Sequence, residues 1–250
     1  MEQWRAVTVL ICFYSRYGST ARLAEAVAEG ARVSPGDEVW LRRAPELDPA
    51  EIIRQDDRRW RTFQDLARRF PEPRPEELER ADALVLGSPG YFGTIASPLK
   101  RWLETVLGRF WQGQEMGEKA GAAFCTTSTV HGGNEVTILS MLASLMHLGC
   151  VIVPSGYLSP PLRRNQMPYG ASAVTGVADE ILPTEDDLAA ARALGYRVAH
   201  VARWLLAGRG QEEFRRRYPA WAPPAAGGRV GDLAPGISPR GPEDKEQPHP

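Results

Sequence analysis

The sequence predicts an α/β fold: a doubly wound, five-stranded parallel sheet with helices on both faces. Apolar runs rich in β-branched residues alternate with stretches of helical spacing along most of the chain. The first run, Val7–Tyr14, shows no polar alternation, as expected of a strand buried on both faces of a parallel sheet. Hydroxyl- and glycine-rich loops stand where the first, third and fourth strands end, and in such sheets that edge is where ligands bind.

Each element has its own signal. After Val7–Tyr14, Leu23, Val27 and the alanines 24, 28 and 31 recur at helical spacing, with Glu25 and Glu29 on the other face. Glu38–Arg43 reads as a short second strand. Pro45–Glu77 reads as polar and irregular, apart from an arginine-rich surface helix over Trp60–Phe70 that buries Trp60, Phe63, Leu66 and Phe70 on one side. Ala83–Ser88 is the third strand, ending in the turn Pro89–Gly93. Pro98 suits a first helical position after Ser97, and Gly108 is the expected end of that helix. Ala120–Thr126 is the fourth strand, and Asn134–Leu148 a helix with Asn134 as its candidate cap. Val151–Pro154 is the fifth strand. Pro160–Ile181 reads as loop with a short apolar interruption, Ala171–Thr175. The last helix spans Thr184–Ala207, with Thr184 and Asp187 as its capping pair. Residues 1–208 form the expected domain. From 209 to 250 proline and glycine dominate, a composition that cannot bury enough apolar surface to order itself, although Glu212–Tyr218 offers a helix extension or a subunit contact.

At 250 residues the chain can bury the core of one such domain. A formal net charge of −1 and a pI near 6.5 exclude broad electrostatic binding to nucleic acid or anionic membrane. No stretch reaches transmembrane length and the N-terminus lacks a signal-peptide pattern, so a cytoplasmic location and no membrane insertion are expected. Cys12, Cys125 and Cys150 form no disulfide or metal pattern and are expected as small core residues.

The loop Ser15-Arg16-Tyr17-Gly18-Ser19-Thr20 joins a strand to a helix N-terminus, where free amides and the helix dipole make a phosphate site. It lacks the lysine of a G-x-x-x-x-G-K-[ST] triphosphate loop and is not the G-x-G-x-x-G of a dinucleotide site. Its hydroxyl-rich pattern resembles the FMN-phosphate loop of flavodoxin-like proteins. An ordinary capped turn is the plainer alternative.

Taken together, four stretches resemble the WrbA-like family, the flavodoxin-fold NAD(P)H:quinone oxidoreductases of type IV. They are FYSRYGSTARLAEAVAEGA, GSPGYFGTIASPLKRWLE, the glycine-rich loop before NEVTILSMLASLMHLGCVIVPSGY, and MPYGASAVTG, in family order over roughly residues 7–207. The resemblance implies FMN as cofactor, NAD(P)H as co-substrate, a quinone or aromatic acceptor and a homotetramer. It assigns Ser15–Thr20 to the phosphate and Tyr17 also to the nicotinamide donor. Gly90, Tyr91 and Phe92 match the loop along the isoalloxazine edge, Trp111 an aromatic on the substrate side, and Thr126–Gly132 (Thr126, Thr127, Ser128, Thr129, Val130, His131, Gly132) the third flavin loop. His147 matches a histidine that a neighbouring subunit places at the flavin.

The chain also departs from that pattern. The family usually shows Thr-Arg-Phe where this chain has Gly90-Tyr91-Phe92, so a cation beside the flavin is expected to be lost and the pocket mouth to be more apolar. Val130-His131 lengthens the third loop by one residue, and Arg54–Phe70 has no clear counterpart. From the residues alone, His147 caps carbonyls or fills core space, His131 faces flavin or solvent, and Arg16 is solvated. Of the carboxylates only Glu135 falls near the three loops, so no acid/base pair is expected. The rival readings are a flavodoxin-type electron carrier, an interaction module without flavin, and a reductase tailoring aromatic metabolites.

Overall fold

The computed structural model describes residues 5–113 and 116–209. The expected tail, with Glu212–Tyr218, lies outside them. Within them β1 (Thr8–Phe13) is an interior strand, pairing in parallel with β2 (Glu38–Arg43) on one side and β3 (Ala83–Tyr91) on the other. Next to β3 comes β5 (Ala120–Thr127), then β6 (Val151–Ile152). The order β2-β1-β3-β5-β6 reverses direction between β1 and β3. That reversal is the switch point at which neighbouring crossovers leave on opposite faces and open a crevice.

The sheet holds seven strands rather than the expected five. One extra strand comes from the fifth position, which is shared. β6 pairs with Ala120 and Gly121, whereas β7 (Ala171–Val174) pairs with Phe124–Thr127 further along β5. Pro154 has no amide to continue a ladder, so the chain leaves after Ile152 and the apolar Ala171–Val174 run returns to complete the position. The other is β4 (Thr94–Ile95), antiparallel to the end of β3. The expected turn Pro89–Gly93 is therefore mostly hairpin, with Tyr91 opposite Thr94.

Alternate residues of each strand feed two cores. Val9, Ile11, Phe13, Val85 and Phe124 pack beneath α1 (Ser19–Ala31) and α8 (Glu185–Arg209), with Leu66 from α3 (Asp57–Arg69) and Phe70 just past its end at the margin. Leu10, Cys12, Leu84, Leu86 and Cys125 pack against α5 (Ser97–Gly113) and α6 (Asn134–His147) on the other face. The three cysteines are free and buried. The segment expected to be irregular also forms α2 (Ala50–Ile53) and α4 (Pro75–Arg80), and Pro160–Asn165 forms α7. Short helices of this kind carry too few periodic positions to register in the sequence. α5 runs through Gly108, because a glycine ends a helix only when it takes the left-handed conformation itself. Gly133, at φ 86°, precedes α6 and takes the cap position, while the Asn134 side chain accepts from Cys125 Sγ. Thr184 and Asp187 do form a reciprocal cap on α8.

α1 and α8 approach at backbone distance. A Cβ on Gly30 would stand 1.9 Å from the Arg192 carbonyl oxygen, and one on Gly195 would stand 2.0 Å from that of Val27. The far end of α8 is tied down by Arg203, which donates to both oxygens of Asp37 at 2.8 Å. Burial alone would raise the Asp37 pKa, but amides of Val7 and Ser34 and the Arg203 guanidinium outweigh it and hold the carboxyl below its usual range. The folded value is the lower one, so this contribution is complete above the ordinary carboxylate range and is lost on acidification through the depressed value. Gly195→Ala is expected to reduce unfolding free energy by about 1–3 kcal/mol through overpacking. Gly208→Ala, at a glycine with open space around it, serves as the neutral or stabilising control. Urea midpoints check this; equal midpoints for Gly195→Ala and the parent would show that the two helices do not touch as closely as described.

Candidate active site

The site begins where β1 ends. The Tyr14 amide still donates to the Gly87 carbonyl at 2.9 Å, so the chain stays against β3 until Ser15. Ser15 is buried and its Oγ accepts from the Gly18 amide at 3.1 Å, which closes a tight turn. Gly18 sits at φ 102°, in the left-handed region that disfavours side chains, and no side chain caps α1. The first-turn amides of α1 are thus left for an external acceptor, with the positive end of the helix dipole behind them.

This turn stands beside a cavity of about 400 Å³ at the carboxyl ends of β1, β3, β5 and β7. Of the residues singled out in the sequence, Ser15, Arg16, Tyr17, Ser19, Thr20, Gly90, Tyr91, Thr126, Thr127 and Ser128 line it. Thr20 and Thr126 share a hydroxyl–hydroxyl hydrogen bond of 2.8 Å, which ties the first loop to the third. Arg16 is not simply solvated. Its guanidinium lies 4.9 Å from the centre of the Tyr91 ring, and its Nε is buried with no hydrogen-bond partner. The expected loss of a cation at position 91 is therefore answered from the first loop, where Arg16 puts positive charge over that very ring. Burial pushes the Tyr91 hydroxyl well up, so it stays neutral.

Other expected site residues stand elsewhere. Gly18 faces a neighbouring groove rather than this cavity. Phe92 is fully exposed at φ 52° in the hairpin turn. Thr129 accepts from Thr127 Oγ1 and from the Gly132 amide, both at 2.9 Å, so the third loop closes on itself and leaves Val130 and His131 outward. His147 is exposed at the last residue of α6, a helix length from the cavity, and this chain alone does not bring it there. The Trp111 side chain lies outside the described residues.

Sequence reasoning missed a third wall. Asp56 and Arg58 enter from the start of α3, and Thr175, Val177, Ala178 and Asp179 from the link between β7 and α8. Tyr17 donates to Asp56 at 2.8 Å, and Arg58 stacks 5.1 Å from the Tyr17 ring. Burial and the Asp56 carboxylate raise the Tyr17 pKa, and the Arg59 amide and the Tyr17 hydroxyl lower that of Asp56. Arg58 also clasps the carbonyls of Ala178 and Asp179 at 2.7 and 2.5 Å. Asp179 in turn accepts from Ser19 Oγ at 3.0 Å, so a carboxylate occupies one hydrogen bond at the α1 N-terminus. A readable signal existed for Asp56, a helix cap whose carboxylate accepts from the Arg59 amide at 3.0 Å. None marked Asp179, which is brought in by tertiary packing.

Residues 6–161 match the NADPH-dependent FMN reductase family. The chain belongs to that family. It is 41% identical over 199 residues to a protein of Geotalea uraniireducens named NAD(P)H dehydrogenase (quinone), covering 78% of this chain and 97% of the relative. A protein of the same name from Archaeoglobus fulgidus is 40% identical over 197 residues, covering 79% and 98%. A solved structure of a flavodoxin, WrbA-like protein from Agrobacterium tumefaciens matches with a TM-score of 0.56 at 22% identity, over 80% of this chain and 99% of that one. That likeness speaks for the flavodoxin-like fold.

The cavity suits FMN on its own chemistry. An uncapped helix end with the Ser19 and Thr20 hydroxyls fits a phosphate, and the Tyr91 ring with the unpartnered Arg16 Nε fits a polar aromatic ring system. Asp179 would oppose such a phosphate by charge and compete with it for Ser19. Ser19→Asp and Gly18→Val are expected to weaken FMN binding to the apoprotein at least tenfold, by repulsion and by backbone strain respectively. Asp179→Asn is expected to strengthen it by about tenfold, the worth of roughly 1.4 kcal/mol. Fluorescence titration with FMN decides the matter; three affinities equal to the parent's would remove the phosphate from the α1 N-terminus.

Proposed function

We propose that this chain is an FMN-dependent NAD(P)H:quinone oxidoreductase that works by alternating half-reactions in one pocket. The supporting observation is the convergence of an uncapped helix N-terminus, two hydroxyl loops and a cation-covered aromatic ring on one cavity at the switch point of the sheet. FMN, when bound, supplies the ring that takes a hydride from NAD(P)H and delivers it to the acceptor.

The chain's residues hold and shape rather than titrate. Ser19, Thr20 and the α1 amides seat the phosphate; Gly90 and Tyr91 edge the ring. Tyr17, fixed by Asp56 and Arg58, forms the wall on the donor side. Arg16 adds positive charge where the ring gains electrons, which favours reduction and attracts anionic acceptors. The near-neutral net charge of −1 suits small-molecule turnover better than the acidic docking surface of an electron carrier. We further infer a cytoplasmic homotetramer in which a neighbour's His147 completes the pocket. Exposure of His147 and its distance from this chain's own cavity support that reading. Among the described residues no helix is long and apolar enough to cross a membrane.

Freshly purified protein is expected to release FMN on denaturation and to oxidise NAD(P)H catalytically when a quinone is present. FAD as the main flavin, or a single stoichiometric oxidation without turnover, would overturn the assignment. Light scattering on the same sample tests the assembly, and a fully active monomer would overturn the tetramer. Acceptor choice is expected to follow Arg16. Arg16→Gln should lower the ratio of kcat/KM for a sulfonated over a neutral quinone by about tenfold, equivalent to losing roughly 1.4 kcal/mol of charge interaction. An unchanged ratio, with FMN retained, would place Arg16 away from the acceptor.

A further inference from the structure

A second groove, of about 550 Å³, adjoins the flavin cavity and shares Tyr17 with it. It runs between α1 and α3, and α3 belongs to the arginine-rich segment without a clear family counterpart. Five arginines lie on α3, and four have carboxylate partners. Arg58 faces Asp179, Arg59 binds Asp48, Arg68 sits 3.5 Å from Asp65, and Arg69 bridges Asp65 and Glu25. Arg61 is the exception. Its Nε reaches only the Asp57 carbonyl of its own helix at 3.3 Å, and among the described residues no carboxylate pairs with it. Arg22, on the facing surface of α1, is likewise without an ion-pair partner among the described residues, and both arginines line the groove.

A merely solvated helix face would not sort its charges in this way. The carboxylates within the groove, Glu25 and Asp65, are both engaged by Arg69, so three guanidinium groups face two acids, the balance is positive, and the two forks not tied to an acid are those of Arg22 and Arg61. Such forks fit phosphate oxygens in bidentate fashion. The rest of the wall includes Thr62, the buried Leu66 and the half-exposed Leu182, a surface able to cover the face of a purine.

We propose that this groove takes the phosphate-bearing adenosine end of the nicotinamide donor, with Arg22 and Arg61 gripping the 2′-phosphate that distinguishes NADPH from NADH. This rests on the reductase reading above. Tyr17 is the hinge of the arrangement: the nicotinamide end lies on its cavity side and the adenosine end on its groove side.

The test uses the holoprotein and the variants Arg22→Ser, Arg61→Ser and the double substitution, all at exposed positions whose side chains support no core contact. Calorimetric titration with 2′,5′-ADP is expected to show about tenfold weaker binding for each single variant, with 5′-AMP nearly unaffected. In turnover, kcat/KM for NADPH should fall by a similar factor while that for NADH holds. Arg61→Lys should recover part of the loss, and raised salt should weaken NADPH more than NADH. Equal effects on both nucleotides, or no effect on either, would overturn the groove assignment while leaving the reductase intact. A protein that oxidises neither nucleotide would defeat the reductase reading instead, and the 2′,5′-ADP titration would still decide whether the groove binds the phosphate.

Discussion

Everything at the site depends on how rigidly β1 hands the chain to α1. A strand with neighbours on both sides cannot slide without breaking two ladders, and Tyr14 extends the attachment to β3 one residue beyond the strand. The left-handed Gly18 then turns the chain inside a single Ser15–Gly18 hydrogen bond. α1 cannot retreat, because Gly30 and Gly195 let it lie against the α8 backbone with no room to spare. The helix end is therefore presented at a fixed point, which is what an electrostatic seat for an anion requires: preorganised donors cost no reorganisation when the ligand arrives.

Charge around that point is arranged in pairs with two kinds of exception. Asp56 is satisfied by Tyr17 and by the Arg59 amide, and Asp179 by Ser19 and Arg58. Arg16 answers to an aromatic face instead of a carboxylate, and Arg22 and Arg61 answer to no acid at all among the described residues. An unpaired guanidinium keeps its full attraction for a ligand, whereas a paired one first has to give up its partner. The cations left over are thus freer to attract an anionic ligand than the total charge suggests. Tyr17 stands at the centre of this pattern as the shared wall of cavity and groove.

The local parts of the fold were legible because they rest on short-range rules. β1, β2 and β5 follow from apolar runs, α1 and α8 from helical spacing and the Thr184–Asp187 cap, and the tight turn into α1 from a serine and a glycine at a strand–helix junction. Where the reading fell short, the cause was pairing between distant segments. The run at Ala171–Val174 is a strand only because β5 offers it an edge that β6 vacates after Ile152. Pro89–Tyr91 continues as strand because β4 folds back on it, which pulls Phe92 out of the cavity and leaves Tyr91 on its wall.

By itself the sequence determined the alternation of strands and helices, the two-faced core, and the hydroxyl-rich turn into a helix after the first strand, since each depends on residues within a few positions of one another. Tertiary structure alone decided which charges meet. Asp179 reaches Ser19 across 160 positions, and Arg58 reaches Ala178 across 120, through contacts that no periodicity encodes. Arg16 over Tyr91 likewise joins two loops that are neighbours only because β1 and β3 are. Long-range electrostatic partners are set by the packing of whole elements, and so the strand–helix turn could be read from the chain while the charges around it could not.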